Sequence, residues 1–76
     1  MHLFTNSVGC QPCVRVKEFI NDNNLPLVDF DIVDIQTDRD TAVKAGIRSV
    51  PTIRYDGKQL SGDHDIINFL RDKYEL

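Results

Sequence analysis

The cysteine pair Cys10 and Cys13 lies where a strand pattern gives way to a helix pattern. Ahead of it, Leu3-Phe4-Thr5 is typical of a short apolar strand, and the segment 6–9 is rich in turn formers. After it, apolar residues recur at helical spacing, at Cys13, Val16, Phe19 and Ile20. Pro12 suits the first turn of a helix because its missing N–H has no partner there. The sequence therefore predicts a strand, a turn and a helix, with the cysteine pair at the helix entrance.

A second strand and a short second helix are predicted for the middle of the chain. Apolar residues alternate with acids at Val28, Phe30 and Ile32, which is the period of a strand. Thr37 with Asp40 resembles a capping arrangement for the helix that follows, and Gly46 suits a left-handed residue at its end. The acidic residues between positions 29 and 40 are expected to form a solvated face, or a surface that favours basic partners.

The last third of the chain predicts a hairpin followed by a helix. The segments 52–55 and 58–60 flank Asp56-Gly57, a dipeptide that supplies the positive φ angles of a two-residue type I′ turn. Gly62 and Asp63 mark the start of a last helix, whose apolar stripe is Ile66, Ile67, Phe69, Leu70 and Tyr74. The complete order is βαβαββα, which is an α/β class of fold.

The length of 76 residues leaves room for one domain, 1–76, and its 41% apolar residues allow a core without metal clips. A bridge between cysteines three positions apart closes almost no loop, so a purely stabilising role is poorly motivated. The net charge of −3, with no basic cluster, argues against nucleic-acid binding. The sequence contains neither a targeting segment nor a membrane span, so a cytoplasmic location is expected.

The position of the two cysteines gives them different chemistry. Unpaired N–H groups and the helix dipole favour a thiolate at Cys10, whereas Cys13 lies one turn deeper and is less accessible. We expect Cys10 to attack a substrate disulfide, and Cys13 to resolve the mixed disulfide and release the reduced substrate.

Three other interpretations of the cysteine pair compete with redox turnover. A zinc site needs four ligands, and the two histidines that could join the thiolates, His2 and His64, lack ligand spacing to them. The cysteines could instead be buried and inert, although the turn at Val8-Gly9 is expected to expose Cys10. An iron–sulfur cluster bridged between two chains needs one exposed thiolate from each. Redox turnover is the interpretation that the position of the pair favours.

With CxxC after the first strand of a βαβ unit, the chain resembles the thioredoxin superfamily, in its short glutaredoxin-like branch. Ser49-Val50-Pro51-Thr52 looks like the cis-proline loop of that family, and the segment 61–65, Ser-Gly-Asp-His-Asp, is similar to the one that opens the last glutaredoxin helix. The resemblance implies a compact thioredoxin/glutaredoxin fold, with a four-stranded mixed sheet flanked by three helices. It also implies that the Val50 backbone pairs with a bound peptide or glutathione beside the reactive sulfur.

The resemblance further implies a thiol–disulfide oxidoreductase that cycles between the Cys10–Cys13 disulfide and the dithiol, with no bound cofactor or metal. In this family pattern, the residues expected to contact the substrate are Gln11, Pro12, Val50, Pro51, Gly62 and Asp63. Arg48, just before the proline loop, is either a guide for an anionic group or a solvated cation.

The chain departs from the glutaredoxin pattern at the positions that would bind glutathione. His64 stands where the first of two paired acids is usual, and Ser61 replaces the first glycine. Pro12 precedes the second cysteine, as in thioredoxins, and the loop before Cys10 lacks the usual lysine. These departures resemble glutaredoxin-like redoxins that accept electrons from thioredoxin reductase and NADPH and supply ribonucleotide reductase.

The expected partners follow from that likeness. They are protein disulfides, with ribonucleotide reductase as one recipient, and thioredoxin reductase as electron donor in preference to glutathione. The chain is expected to act as a monomer. A glutathione-dependent glutaredoxin, or a glutathione-assisted iron–sulfur binding module, is the alternative.

Overall fold

The computed structural model describes all residues, 1–76, and the elements follow one another in the predicted order. A short 3₁₀ turn, Leu27–Asp29, lies between the first helix and the second strand. The strands and helices are β1 (His2–Thr5), α1 (Gln11–Asp22), β2 (Asp31–Asp34), α2 (Arg39–Lys44), β3 (Thr52–Tyr55), β4 (Lys58–Ser61) and α3 (Asp63–Lys73).

The four strands form one mixed sheet in the order β2-β1-β3-β4. β1 pairs with β2 in parallel and with β3 antiparallel, and β3 pairs antiparallel with β4. The parallel pair is connected through α1, as a βαβ unit requires. This α/β arrangement of four strands and three helices confirms the predicted thioredoxin-like fold.

The core lies between one face of the sheet and the helices α1 and α3. Leu3 on β1 is opposite Ile53 on β3, and strand residues at such paired positions share one face. The buried apolar residues of this core are Leu3, Val16, Ile20, Leu25, Phe30, Ile53, Ile66 and Leu70. α2 lies against the other face, where Arg54 donates a hydrogen bond to the carbonyl of Ala45 at the end of α2. No helix has both the length and the hydropathy that crossing a bilayer requires.

The second strand begins later than the alternation of apolar residues predicted. Val28 is 94% exposed and belongs to the 3₁₀ turn, whose hydrogen bonds run from Asp29 N–H to Pro26 and from Phe30 N–H to Leu27. These hydrogen bonds lie within the turn, and its residues do not pair with the sheet. Of the three apolar residues in the predicted strand, only Phe30 is therefore part of the core. Ile32 lies on β2 at the edge of the sheet and remains 48% exposed.

The start of α2 also differs from the prediction. Asp38, not Thr37, is the N-cap: its carboxylate accepts hydrogen bonds from the backbone N–H of Thr41 at 3.4 Å and from the Thr41 hydroxyl at 2.8 Å. Asp40 lies in the first turn of the helix, where a negative charge complements the helix dipole. The predicted pairing of Thr37 with Asp40 is therefore wrong, because the cap lies one residue further along the chain.

Both predicted turns with left-handed residues are confirmed. Gly46, with φ +73°, ends α2, and the N–H of Ile47 reaches back to the carbonyl of Ala42 at 3.0 Å, as in a Schellman motif. Asp56 and Gly57, with φ +50° and +77°, connect β3 to β4. Positive φ at both positions is the requirement of a type I′ turn.

Candidate active site

Cys10 is the N-cap residue of α1. Its backbone is extended, with φ −121° and ψ 95°, and its carbonyl accepts the first helical hydrogen bond, from Val14 N–H at 3.2 Å. Its Sγ accepts a hydrogen bond from the N–H of Cys13 at 3.2 Å. A side-chain acceptor at this position satisfies one of the unpaired donors at the helix start. The sulfur therefore lies in the positive field of the helix N-terminus.

Cys10 and Cys13 are joined by a disulfide, with their Cα atoms 5.3 Å apart. Cys13 is only 1% exposed, whereas Cys10 is partly exposed. The two sulfurs thus differ in access to a second molecule, as expected for a CxxC pair at a helix start. Between them, Gln11 is exposed and Pro12 is half-buried in the first turn.

The loop before β3 approaches the disulfide from the other side. The Val50–Pro51 peptide bond is cis, as the sequence predicted, and the carbonyl oxygen of Val50 lies 4.0 Å from Cys10 Sγ. The hydroxyl of Thr52 donates to the carbonyl of Ser49 at 2.7 Å, which closes the loop on itself. Val50 is therefore a neighbour of the Cys10 sulfur although the two residues are 40 positions apart in the chain.

Gly62 ties that loop to the start of α3. Its N–H donates to the carbonyl of Pro51 at 2.9 Å, and it serves as the N-cap of α3 with φ +92°, a conformation that favours glycine. The predicted site residues Val50 and Pro51 are thus connected to Gly62 by a backbone hydrogen bond between two separate segments. The Thr52 hydroxyl adds a second tie, to the hydroxyl of Ser61 at 2.8 Å.

Asp63 is engaged by a partner that the sequence did not reveal. Its carboxylate binds the guanidinium of Arg15 on α1, with Nε to Oδ2 at 2.6 Å. The hydrogen bond from Arg15 is the largest cause that holds the pKa of Asp63 below its ordinary value. Arg15 and Asp63 are 48 residues apart, so no local pattern indicates the pair. His64 and Asp65 beside it are exposed.

Asp34 organises the loop that precedes Cys10. Its carboxylate accepts hydrogen bonds from the N–H of Ser7 at 3.2 Å and from the N–H of Gln36 at 3.0 Å. Hydrogen bonding by Ser7 is the largest cause that lowers the pKa of this carboxyl. Asp34, one of the acidic residues between positions 29 and 40, therefore holds the loop before Cys10 in place and is not only part of a solvated face.

The sequence model of the glutaredoxin family matches residues 3–60 of the chain. The chain belongs to the glutaredoxin family. No curated protein and no solved structure matches it significantly. A glutaredoxin with a cysteine pair joined at a helix start is a thiol–disulfide oxidoreductase in general type. The match ends at residue 60, before the segment 61–65.

A groove of about 380 Å³ continues from the cis-proline loop of this glutaredoxin. Its walls come from Ile35 and Gln36 just after β2, from α2 and from the residues just before Pro51. Val50 lines one end of it, so the groove begins beside the carbonyl that faces Cys10. Arg48, the cation that the sequence placed just before the proline loop, also lines this groove.

Proposed function

We propose that this chain is a dithiol reductant of protein disulfides. One observation carries the proposal: the partly exposed Cys10 caps α1, is bonded to the buried Cys13, and faces the Val50 carbonyl at 4.0 Å. One sulfur is accessible to a second molecule and the other is close enough to displace it. A backbone carbonyl beside the accessible sulfur provides an acceptor for the N–H of an extended substrate segment.

The proposed reaction is a pair of thiol–disulfide exchanges. The Cys10 thiolate attacks one sulfur of the substrate disulfide, forms a mixed disulfide, and releases the other substrate sulfur as a thiolate that takes up a proton. The Cys13 thiol loses its proton, and its thiolate attacks Cys10 Sγ. The second substrate thiolate leaves and is protonated in turn. Two electrons have then passed to the substrate, and the Cys10–Cys13 disulfide awaits reduction.

We propose thioredoxin reductase with NADPH, in preference to glutathione, as the source of those electrons. Glutathione carries an ammonium group that a free carboxylate at the start of α3 would bind. Asp63 already binds Arg15 at 2.6 Å, and the neighbouring position is occupied by His64, so Asp65 is the one acid in the first turn of α3 that has no partner. This engagement supports the preference that the sequence departures suggested.

Ribonucleotide reductase is the recipient that we propose by family likeness, and a reducing compartment such as the cytoplasm is the proposed location. Gln11 and Pro12 flank the accessible sulfur and, with Val50, Pro51 and Gly62, are proposed to form the contact surface for the substrate. The proposed working state is the monomer, which size-exclusion chromatography with light scattering would test.

The exchange mechanism is tested by reduction of insulin with the wild type and two single variants. Cys10→Ser is expected to lose turnover to the background rate, and persistent activity in that variant would exclude the mechanism. Cys13→Ser is expected to accumulate a mixed disulfide with its target on a non-reducing gel. Incubation of this variant with oxidised ribonucleotide reductase tests the proposed recipient by the same readout.

The electron donor is tested by comparing two coupled systems on the same oxidised protein. One contains NADPH and thioredoxin reductase, and the other contains NADPH, glutathione reductase and glutathione. We expect faster NADPH consumption in the first. Faster consumption in the second would assign the chain to the glutathione-dependent glutaredoxins.

A further inference from the structure

The groove beside the active site has an apolar floor and two arginines. Val43, Ile47 and Val50 supply apolar surface, and Val43 is 66% exposed. Arg39 from the first turn of α2 and Arg48 from just before the proline loop also line the groove. Exposed apolar surface next to cations is characteristic of surfaces that bind a partner with matching groups.

The two arginines of the groove have no partner within the chain, unlike the other three. Arg15 binds Asp63, and Arg54 donates to the Ala45 carbonyl and to Gln59, while Arg71 lies over the ring of Phe19. The two side-chain ion pairs of the chain use His2 and Arg15, so neither Arg39 nor Arg48 is neutralised by a carboxylate.

The charge of the groove is opposite to the charge of the whole chain. The chain carries a net charge of −3, yet no acidic residue lines the groove. The acids next to Arg39 in the sequence are Asp38, whose carboxylate caps α2, and Asp40, which is not part of the lining. A carboxylate that enters the groove therefore meets two free guanidinium groups, which are suited to bidentate hydrogen bonds with it.

We propose that this groove binds an acidic and apolar segment of the protein substrate next to its reactive cysteine; the proposal rests on the proposed function. The substrate cysteine lies at Cys10, its apolar neighbour contacts Val43 and Ile47, and a Glu or Asp side chain binds Arg39 and Arg48. Arg48 is two residues from Val50, and an extended chain advances about 3.3 Å per residue. The carboxylate accordingly belongs about two to four residues from the substrate cysteine.

The proposal is tested with three disulfide-linked peptides of equal length. They carry Glu-Leu, Gln-Leu or Lys-Leu in that interval and are otherwise identical. At low ionic strength the wild type is expected to show a kcat/KM for the Glu peptide about two- to fivefold above that for the Gln peptide, the range of an exposed ion pair. The kcat/KM for the Lys peptide is expected to be lower than for the other two peptides. Added salt should reduce the differences in kcat/KM among the three peptides.

Charge variants identify the groove as the origin of the preference. Arg39→Gln and Arg48→Gln are each expected to raise the KM for the Glu peptide and so to reduce its advantage over the Gln peptide. The double variant with Arg39→Glu and Arg48→Glu should prefer the Lys peptide over the Glu peptide. Lys44→Glu is the matched control, because Lys44 lies on the same helix but outside the lining. It replaces a positive charge on α2 by a negative one and should leave the order of the peptides unchanged.

The outcomes separate the groove from the proposed function. Equal rates for the three peptides, with normal reduction of all of them, would overturn the groove proposal and leave the proposed function intact. No turnover of any peptide would overturn both. A loss of glutathione disulfide reduction in the arginine variants, without any preference among the peptides, would assign the carboxylate site to glutathione and also refute the proposal.

Discussion

Replacement of Thr5 by valine is expected to stabilise the oxidised chain. Thr5 is fully buried at the end of β1, and its Oγ1 is the buried side-chain oxygen that has no hydrogen-bond partner. The backbone carbonyl of Thr5 does have a partner, since it accepts a hydrogen bond from Ile35 N–H at 2.8 Å. Burial of an unbonded hydroxyl costs about 1–3 kcal/mol in proteins, and valine fills nearly the same volume without it. The free energy of unfolding should therefore rise by about 1–3 kcal/mol.

Thr52 is the matched control for this prediction. It is also a buried threonine on a strand, 1% exposed, but its hydroxyl is bonded to Ser49 and Ser61 at 2.7 and 2.8 Å. Thr52→Val should therefore lower the free energy of unfolding by about 1 kcal/mol or more, because it leaves those partners unpaired.

Urea unfolding of the oxidised proteins measures both changes, and equal slopes would show that the unfolded states are comparable. For a domain of this size, 1 kcal/mol corresponds to a shift in Tm of about 4–8 °C. If Thr5→Val were destabilised to the same extent as Thr52→Val, the Thr5 hydroxyl would have a partner in solution and the reasoning would be refuted.

Three further predictions follow from side-chain contacts. Arg15→Gln should raise the pKa of Asp63 toward its ordinary 3.8, measured by NMR titration. In the wild type, the stability linked to the lowered pKa is present above 3.8 and is lost as pH falls through the lowered pKa, so the variant should show less of this pH dependence. Burial raises the pKa of Tyr74 from 10.0 to about 12, so stability should fall as pH rises between those values, and Tyr74→Phe should flatten that fall in urea titrations. Asp38→Ala should lower the free energy of unfolding by about 0.5–2 kcal/mol through loss of the α2 cap, while Thr37→Ala has a smaller effect; equal losses would show that the cap is shared.

The parts of the fold that the sequence predicted are those decided within a few residues. The hairpin turn at Asp56-Gly57 and the end of α2 at Gly46 need positive φ angles, and the residues at those positions allow them. The entrance of α1 is likewise local, because Pro12 and the change of period mark it. Such features depend on the backbone conformation of each segment alone, so they can be predicted without knowing how the rest of the molecule packs.

The sequence-based predictions are wrong or incomplete where a contact with a distant residue, or a competing local hydrogen bond, determines the structure. The alternation of Val28, Phe30 and Ile32 is real, but a locally hydrogen-bonded turn replaced the first part of the strand. The engagement of Asp63 by Arg15 needs α1 and α3 side by side, which no spacing in the sequence encodes. The groove before Pro51 could not be predicted for the same reason, because its walls come from three segments that are separate in the sequence.

The cap formed by Cys10 has a consequence for how its mutants are interpreted. The sulfur that is proposed to react also accepts a hydrogen bond from the Cys13 N–H at 3.2 Å and so caps the start of α1. Serine is a good N-cap and preserves this acceptor, whereas alanine removes it and costs about 0.5–2 kcal/mol. Loss of activity in Cys10→Ser therefore reports on the missing sulfur and its bond to Cys13 with the cap kept, while Cys10→Ala also loosens the first turn of α1. Position 10 is thus constrained twice, by reactivity and by the architecture of the helix end.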